Sequence, residues 1–267
     1  MAGKIARIIY ENTIPAVFVK RYNRFSAGVL IDGKEETVHV KNTGRLGELL
    51  VPGAAVTLQK AENPARKTAY DLISVYKLGV DWVNIDSLAP NALMKQYLEN
   101  LRTYDLVKPE YKYGNSRFDF YLERGEEKYL REVKGCTLAE GPDSSFGLFP
   151  DAPTERGLKH IRELTAAAGR GYHCSIDFVI QMNGIRLVLP NDSTMPAFRA
   201  GLTEAARAGV EINSLTCRVE ADRIMITGCA NDAARYQEPQ VKVPFQNAAV
   251  LTGPCVMTGS LEHFSGY

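Results

Sequence analysis

The stretch FDFYLERGEEKYLREVKG, residues 118–135, carries the residues best suited to chemistry. Two strand-like runs flank Arg124-Gly125-Glu126-Glu127, which reads as the turn of a β-hairpin. A turn centred between Gly125 and Glu126 sets Asp119 opposite Glu132, with Cβ atoms about 4.5–5.5 Å apart on one sheet face. Glu132 and Lys134 are two residues apart and share that face. Two opposed carboxylates repel unless a positive charge lies between them, and hard oxygen ligands suit Mg²⁺ or Mn²⁺. A neighbouring lysine can orient an attacking water or stabilise charge developing on a phosphate. Asp119, Glu132 and Lys134 are therefore a minimal set for metal-dependent phosphodiester hydrolysis, with Asp119 and Glu132 as metal ligands. The bland alternative is a solvated hairpin face on which Lys134 merely pairs with a carboxylate.

The elements that must position this hairpin fall into two groups. Residues 1–85 read as short strands, KIARIIY, PAVFVKRY, SAGVLI, ETVHVK, AAVTLQKA and AYDLISVYKLG, separated by the turn signals Asp32-Gly33, Asn42-Thr43-Gly44 and Pro52-Gly53. A five-stranded OB-like β-barrel fits that length. Residues 86–229 change character: a helix over SLAPNALMKQYLENLRTY, then strands alternating with the helices PTERGLKHIRELTAAAG and STMPAFRAGLTEAARAG. The second helix is expected to be capped by Asp151, with Pro153 in its first turn and Gly169 at its end. This is an α/β lobe with a mixed sheet. Residues 230–267 lack periodicity and read as an irregular C-terminal extension.

Composition bounds the rest. Five cysteines, 136, 174, 217, 229 and 255, with no Cys-x-x-Cys pair, argue against a disulfide scaffold or a zinc ribbon. No run approaches the ~20 apolar residues that span a bilayer, and the N-terminus has no long apolar signal region, so a cytoplasmic protein without membrane contact is expected. The net charge is +1, but residues 1–85 carry 12 Lys/Arg against 8 Asp/Glu, and the remainder 20 against 23. A basic N-terminal lobe beside an acidic site is compatible with a nucleic-acid partner. In the barrel, Lys20, Arg21, Arg24, Lys41 and Arg45 are interleaved with Tyr22 and Phe25, the mixture of cations and aromatics that suits a single strand on an OB fold, and Asn42 joins them as a candidate contact from the NTGR turn beside Arg45.

The order helix, strand, Asp-strand, Glu-x-Lys-strand, helix, strand resembles the core of the PD-(D/E)xK nuclease-like fold. Glu110, on the preceding strand, is then a candidate further metal ligand. The segments HVKNTGRLGELLVPG (39–53), REVKGCTL (131–138), FPDAPTERGLKHIREL (149–164) and VKRYNRFSAGVLIDG (19–33) are similar to those of the sugar fermentation stimulation protein A family. The resemblance spans most of residues 10–228. It implies an OB-like barrel joined to a PD-(D/E)xK nuclease-like domain, an α+β or α/β architecture overall, and a DNA partner, with RNA not excluded. Asp119, Glu132 and Lys134 match the nuclease-like motif, and Thr154, Glu155, Arg156, Gly157, Lys159 and His160 match the helix signature. Arg156, Lys159 and His160 thereby join the candidate nucleic-acid contacts. Two function classes follow: a Mg²⁺- or Mn²⁺-dependent nuclease, or a non-catalytic DNA-binding regulator of sugar-metabolism genes.

Overall fold

Alternation of β-branched and aromatic residues with polar ones builds both sheets of the computed structural model, which describes residues 5–139, 145–232 and 236. The first strand, β1 (Arg7–Ile9), is followed by β2 (Thr13–Arg21), β3 (Ser26–Ile31), β4 (Lys34–Val40), β5 (Ala55–Lys60), β6 (Tyr70–Lys77) and β7 (Asp81–Asn84). Strands β2 to β6 pair in the order β4-β3-β2-β5-β6, and a parallel β4–β6 pairing through His39↔Asp71 and Val40↔Leu72 closes the OB barrel. Phe18, Val29, Val38, Val40, Leu58 and Leu72 fill it and are fully buried. Asp32 and Gly33 both take positive φ, 49° and 79°, as a tight β3–β4 hairpin turn requires.

Strand β1 was expected in the barrel. It instead pairs antiparallel with the last strand of the second sheet, so the chain begins in one lobe and crosses to the other. Its partner can take it because that sheet edge is otherwise open, and Tyr10 anchors the crossing by donating its hydroxyl to Asp86 Oδ2 at 3.3 Å.

After β7 come α1 (Ala89–Leu101), β8 (Leu106–Tyr113), β9 (Ser116–Arg124), β10 (Glu127–Cys136), β11 (Leu138–Ala139), β12 (Phe146–Phe149), α2 (Glu155–Ala168), β13 (His173–Ile180), β14 (Leu187–Pro190), α3 (Pro196–Arg207), β15 (Glu211–Glu220) and β16 (Arg223–Asn231). A seven-stranded mixed sheet runs β1-β16-β15-β13-β10-β9-β8, with β10, β13 and β15 parallel. The small sheet β11-β12-β14 was not foreseen, because its strands are two to four residues long and carry no period. One core lies between the sheet and α2 and α3, through Leu158, Ile161, Phe178 and Phe198. The other lies under α1, through Leu93, Met94, Val133 and Val179. Strand β16 runs on to Asn231, beyond Cys229. Apart from residues 230–232 and Tyr236, the C-terminal extension lies outside the described residues. Among the described residues no helix is long and apolar enough to cross a membrane.

Candidate active site

The β9–β10 hairpin has the expected register. Arg124 pairs with Glu127 across Gly125-Glu126, and the ladder runs to Phe120↔Arg131. Counting on from there sets Asp119 against Glu132, but the ladder ends before them. In its place Val133 N–H donates to the Asp119 carboxylate, Oδ2, at 2.7 Å. Phe118 packs in the α2-side core and Phe120 in the α1-side core. Residues two apart in a regular strand share a face, so β9 turns over at Asp119. The metal-suited carboxylate thus sits where backbone pairing gives way to side chains.

Each carboxylate is held from a different element. Asp119 Oδ1 accepts from Asn91 Nδ2 of α1 at 2.8 Å. Glu132, buried at 3% exposure, accepts through Oε1 from Lys134 Nζ and from His160 Nδ1, the latter at 2.6 Å. A carboxylate offers only lone pairs here, so the ring nitrogen carries the proton. Burial, and then the charge of Glu132, push the Asp119 carboxyl above its ordinary pKa, with Lys134 and the Val133 amide opposing them. For Glu132, burial pushes upward, but the His160 hydrogen bond and Lys134 outweigh it and hold the group below the usual range. Glu132 Oε2 is buried with no hydrogen-bond partner among the described residues. An orphaned carboxylate oxygen beside a second carboxylate of raised pKa is a donor pair suited to a hard divalent cation.

Asn91, Asp119, Glu132, Val133 and Lys134 line a cavity of about 320 Å³ with Arg156, Gly157, Thr137 and Gln181. Gln181 is fixed by donating Nε2 to Asn84 Oδ1 at 2.8 Å and to the Asp86 carbonyl at 3.0 Å. A Cβ at Gly135 would lie 2.4 Å from Gln181 Oε1, so glycine there keeps the cavity floor open.

Two family models match, the sugar fermentation stimulation protein RE domain over residues 85–223 and the SfsA N-terminal OB domain over residues 19–85. The chain belongs to the sugar fermentation stimulation protein family. The family's homologue from Ruminiclostridium cellulolyticum is 48% identical over 220 residues, covering 81% of this chain and 96% of the relative. That from Desulfitobacterium hafniense is 49% identical over 217 residues, covering 80% and 93%. Pyrococcus furiosus SfsA, solved in complex with Ca²⁺, superposes with a TM-score of 0.74 at 28% identity, covering 84% of this chain and 97% of that one. The OB barrel followed by a PD-(D/E)xK nuclease-like mixed-sheet domain is thus the architecture of the family.

Within this family member several expected contacts are placed elsewhere. Glu110 does not join the carboxylates: it stands exposed on edge strand β8, 3.7 Å from Arg117, with its backbone at φ 53°. Among the described residues, no group of three or more His, Cys, Asp or Glu side chains is arranged to hold a metal. His160, expected on nucleic acid, is 5% exposed and spent on Glu132. Its place on the inner side of α2 follows from the packing of Leu158, Ile161 and Leu164 around it. Lys159 is exposed and donates to the Asn115 carbonyl at 3.2 Å, outside the cavity, whereas Arg156 is exposed and lines it.

Asp151 does not cap α2. Thr154 does, its hydroxyl accepting from Gly157 N–H at 3.0 Å. Asp151 accepts instead from Arg45 N–H at 3.1 Å, bridging the two domains. A Cβ on Gly44 would lie 2.5 Å from Asp151 Oδ2, so Gly44 serves close approach rather than a positive φ. Asn42 is likewise turned to the fold, accepting from Gly44 N–H and donating to the Ile85 carbonyl.

Arg21, expected on nucleic acid, is committed to the fold. Its guanidinium donates to five carbonyls, those of Asn23, Arg24, Asn42, Gly44 and Arg45, at 2.7–3.1 Å. A guanidinium has five N–H bonds, so none remains for a phosphate. Arg21→Ala should destabilise the fold by about 2–3 kcal/mol and release the 42–45 loop, and Arg21→Lys should not rescue it, since one ammonium cannot serve that fan of acceptors. Thermal melts of the two variants check this; a wild-type melt for Arg21→Ala would refute it. Lys20, Arg24 and Arg45 remain exposed on the barrel.

Asn91, Gln181 and the Glu132–His160 contact escaped sequence reading. Gln181 left a trace as a polar end to the apolar run HCSIDFVIQM. Asn91 left none, since its partner lies 28 residues away. Cys136, near the motif, is no nucleophile: burial pushes its thiol up to about 12.

Proposed function

We propose that this protein is a nuclease that hydrolyses phosphodiester bonds in nucleic acid with Mg²⁺ or Mn²⁺. The observation that carries the reading is the end of the β9–β10 ladder, where Asp119, Glu132 and Lys134 line one cavity. Asp119 and Glu132 would hold the ion. When bound, such an ion acidifies a water and polarises a phosphate oxygen. The remaining coordination positions would fall to water, main chain and substrate, as is usual for Mg²⁺. Pyrococcus furiosus SfsA is described with Ca²⁺, which supports a divalent site in this relative.

The chain's own residues divide the remaining work. Asn91 and the Val133 amide orient Asp119, and His160 orients Glu132 from behind. Lys134 Nζ would hold the attacking water or stabilise charge developing on the phosphate. Arg156, near the start of α2, supplies a positive charge for the phosphate backbone where the helix dipole also favours an anion. A second cavity, lined by Tyr22, Arg24 and Arg45, shares Asn42, Phe149, Asp151 and Thr154 with the carboxylate cavity. That continuity supports a DNA strand reaching the carboxylates from the barrel.

Plasmid, single-stranded DNA and RNA incubated with each metal should be cleaved, and EDTA or Asp119→Ala should abolish cleavage. Mn²⁺ affinity should rise with pH through the elevated Asp119 pKa and then level off, since a protonated ligand does not bind metal. DNA binding with no cleavage under either metal would leave the regulator reading instead.

A further inference from the structure

We infer that the outer face of β2–β4 is a track for single-stranded nucleic acid, with Tyr22 as a preformed stacking platform. This names the substrate class and rests on the reading that the cleft acts on nucleic acid.

Tyr22 follows β2 and lies across Gly28 of β3, where a Cβ would come within 2.5 Å of its hydroxyl oxygen and 3.0 Å of Cζ. The absent side chain at Gly28 is what lets the ring lie against the strand. Its hydroxyl donates to Glu35 Oε1 of β4 at 2.7 Å, pinning the far end. Lys20 Nζ stands 5.3 Å from the ring centroid. Although so held, Tyr22 stays 44% exposed, and Phe25 on the same β2–β3 loop is 57% exposed. Val17 and Leu30, register partners on the same face, are exposed at 41% and 37%.

An aromatic ring fixed at low entropic cost on an OB barrel is an acceptor for an unpaired base, and every base has a π-face. OB folds bind oligonucleotides with this strand face and the adjoining loop. A duplex keeps its bases paired and stacked inside, so it could use the cations here but not Tyr22 or Phe25. Nor is the face a broad cationic surface, because Glu35, which pairs with Leu30, is exposed on it beside Lys20. Aromatics with interspersed cations favour base stacking over phosphate contact alone. Arg24 of this loop and Arg45 of the loop after β4 line a groove of about 800 Å³ that borders the carboxylate cavity.

The test is fluorescence anisotropy of the full chain in EDTA, with a labelled DNA strand of about 16 nucleotides and the same strand annealed to its complement. The single strand should bind at least about tenfold more tightly. Tyr22→Ala should weaken single-strand binding about 5- to 150-fold, the range for one stacked base. Gly28→Val, which displaces the ring, should weaken it too, and Tyr22→Phe should retain it, with circular dichroism confirming that each variant is folded. Equal or tighter duplex binding, or an unchanged affinity in folded Tyr22→Ala and Gly28→Val, overturns the inference. Single-strand binding without cleavage under Mg²⁺ or Mn²⁺ would sink the nuclease reading and leave this one standing. Cleavage with equal affinity for both strands and duplex would do the reverse.

Discussion

Glu132→Gln should lower metal-dependent cleavage by about 10²–10³-fold or more and should also lower the melting temperature of the metal-free protein. The double effect follows from how Glu132 is held. Lys134 and His160 both direct donors at its Oε1 inside a buried pocket. A neutral amide accepts these donors more weakly and leaves Lys134 without its counter-charge, a loss of about 2–4 kcal/mol at neutral pH. The sign with pH is set by the depressed pKa of Glu132. Burial alone would raise it, but the His160 bond and Lys134 prevail. Its ionised form therefore adds stability above the unfolded-state pKa, and that stability is lost as pH falls through the lower folded value. Asp119 works the other way. Burial and Glu132 raise its pKa, so its contribution is most favourable in acid and declines as pH rises from the ordinary carboxylate value to the elevated one. Glu132→Gln removes the repulsion as well, so Asp119 should titrate lower. Melts from about pH 3 to pH 8 without metal should show the wild-type advantage over Glu132→Gln growing up to the ordinary carboxylate pKa and then shrinking as pH rises through the elevated Asp119 pKa. Equal melting at neutral pH would show that the Lys134 and His160 contacts contribute no more than the repulsion with Asp119 costs.

What the sequence reveals, and what it hides, divides along the range of each interaction. The hairpin register is legible because Gly125-Glu126 fixes the turn and every opposed pair follows by counting. The barrel is legible from period-two runs and from turn residues such as Asp32-Gly33. The same local logic misplaces β1, since the run around Ile8 looks like any strand and its partner β16 lies over 200 residues on. Cations mislead for a related reason. Arg21 and Arg24 are alike in sequence, yet the carbonyls that consume Arg21 gather only when the 42–45 loop folds back on the barrel. His160 is a helix residue whose partner, Glu132, becomes adjacent only once α2 packs on β9 and β13. Glu110 shows the converse: its strand position was legible, but a positive φ turns the chain there, and its carboxylate goes to Arg117.

Lys134→Ala should separate catalysis from metal binding in opposite directions. The Lys134 ammonium donates to Glu132 Oε1, beside the oxygen that has no partner among the described residues. An incoming cation must displace or share that contact and bear the repulsion of a neighbouring positive charge. Deleting the ammonium removes both costs, so Mn²⁺ should bind about 3- to 10-fold more tightly, the worth of a partly buried ion pair of roughly 1 kcal/mol. Cleavage should nonetheless fall by about 10²–10³-fold, because the charge that develops on the phosphate during the reaction loses its nearest fixed cation. Isothermal titration with Mn²⁺ and a single-turnover cleavage assay on the same preparation would measure both. A parallel loss of affinity and cleavage would mean that Lys134 holds Glu132 in place for the metal rather than acting on the substrate. Lys134→Arg distinguishes the two further: a planar, larger cation can still neutralise Glu132 but cannot keep the ammonium's position. It should therefore leave Mn²⁺ affinity near wild type while cleavage stays low.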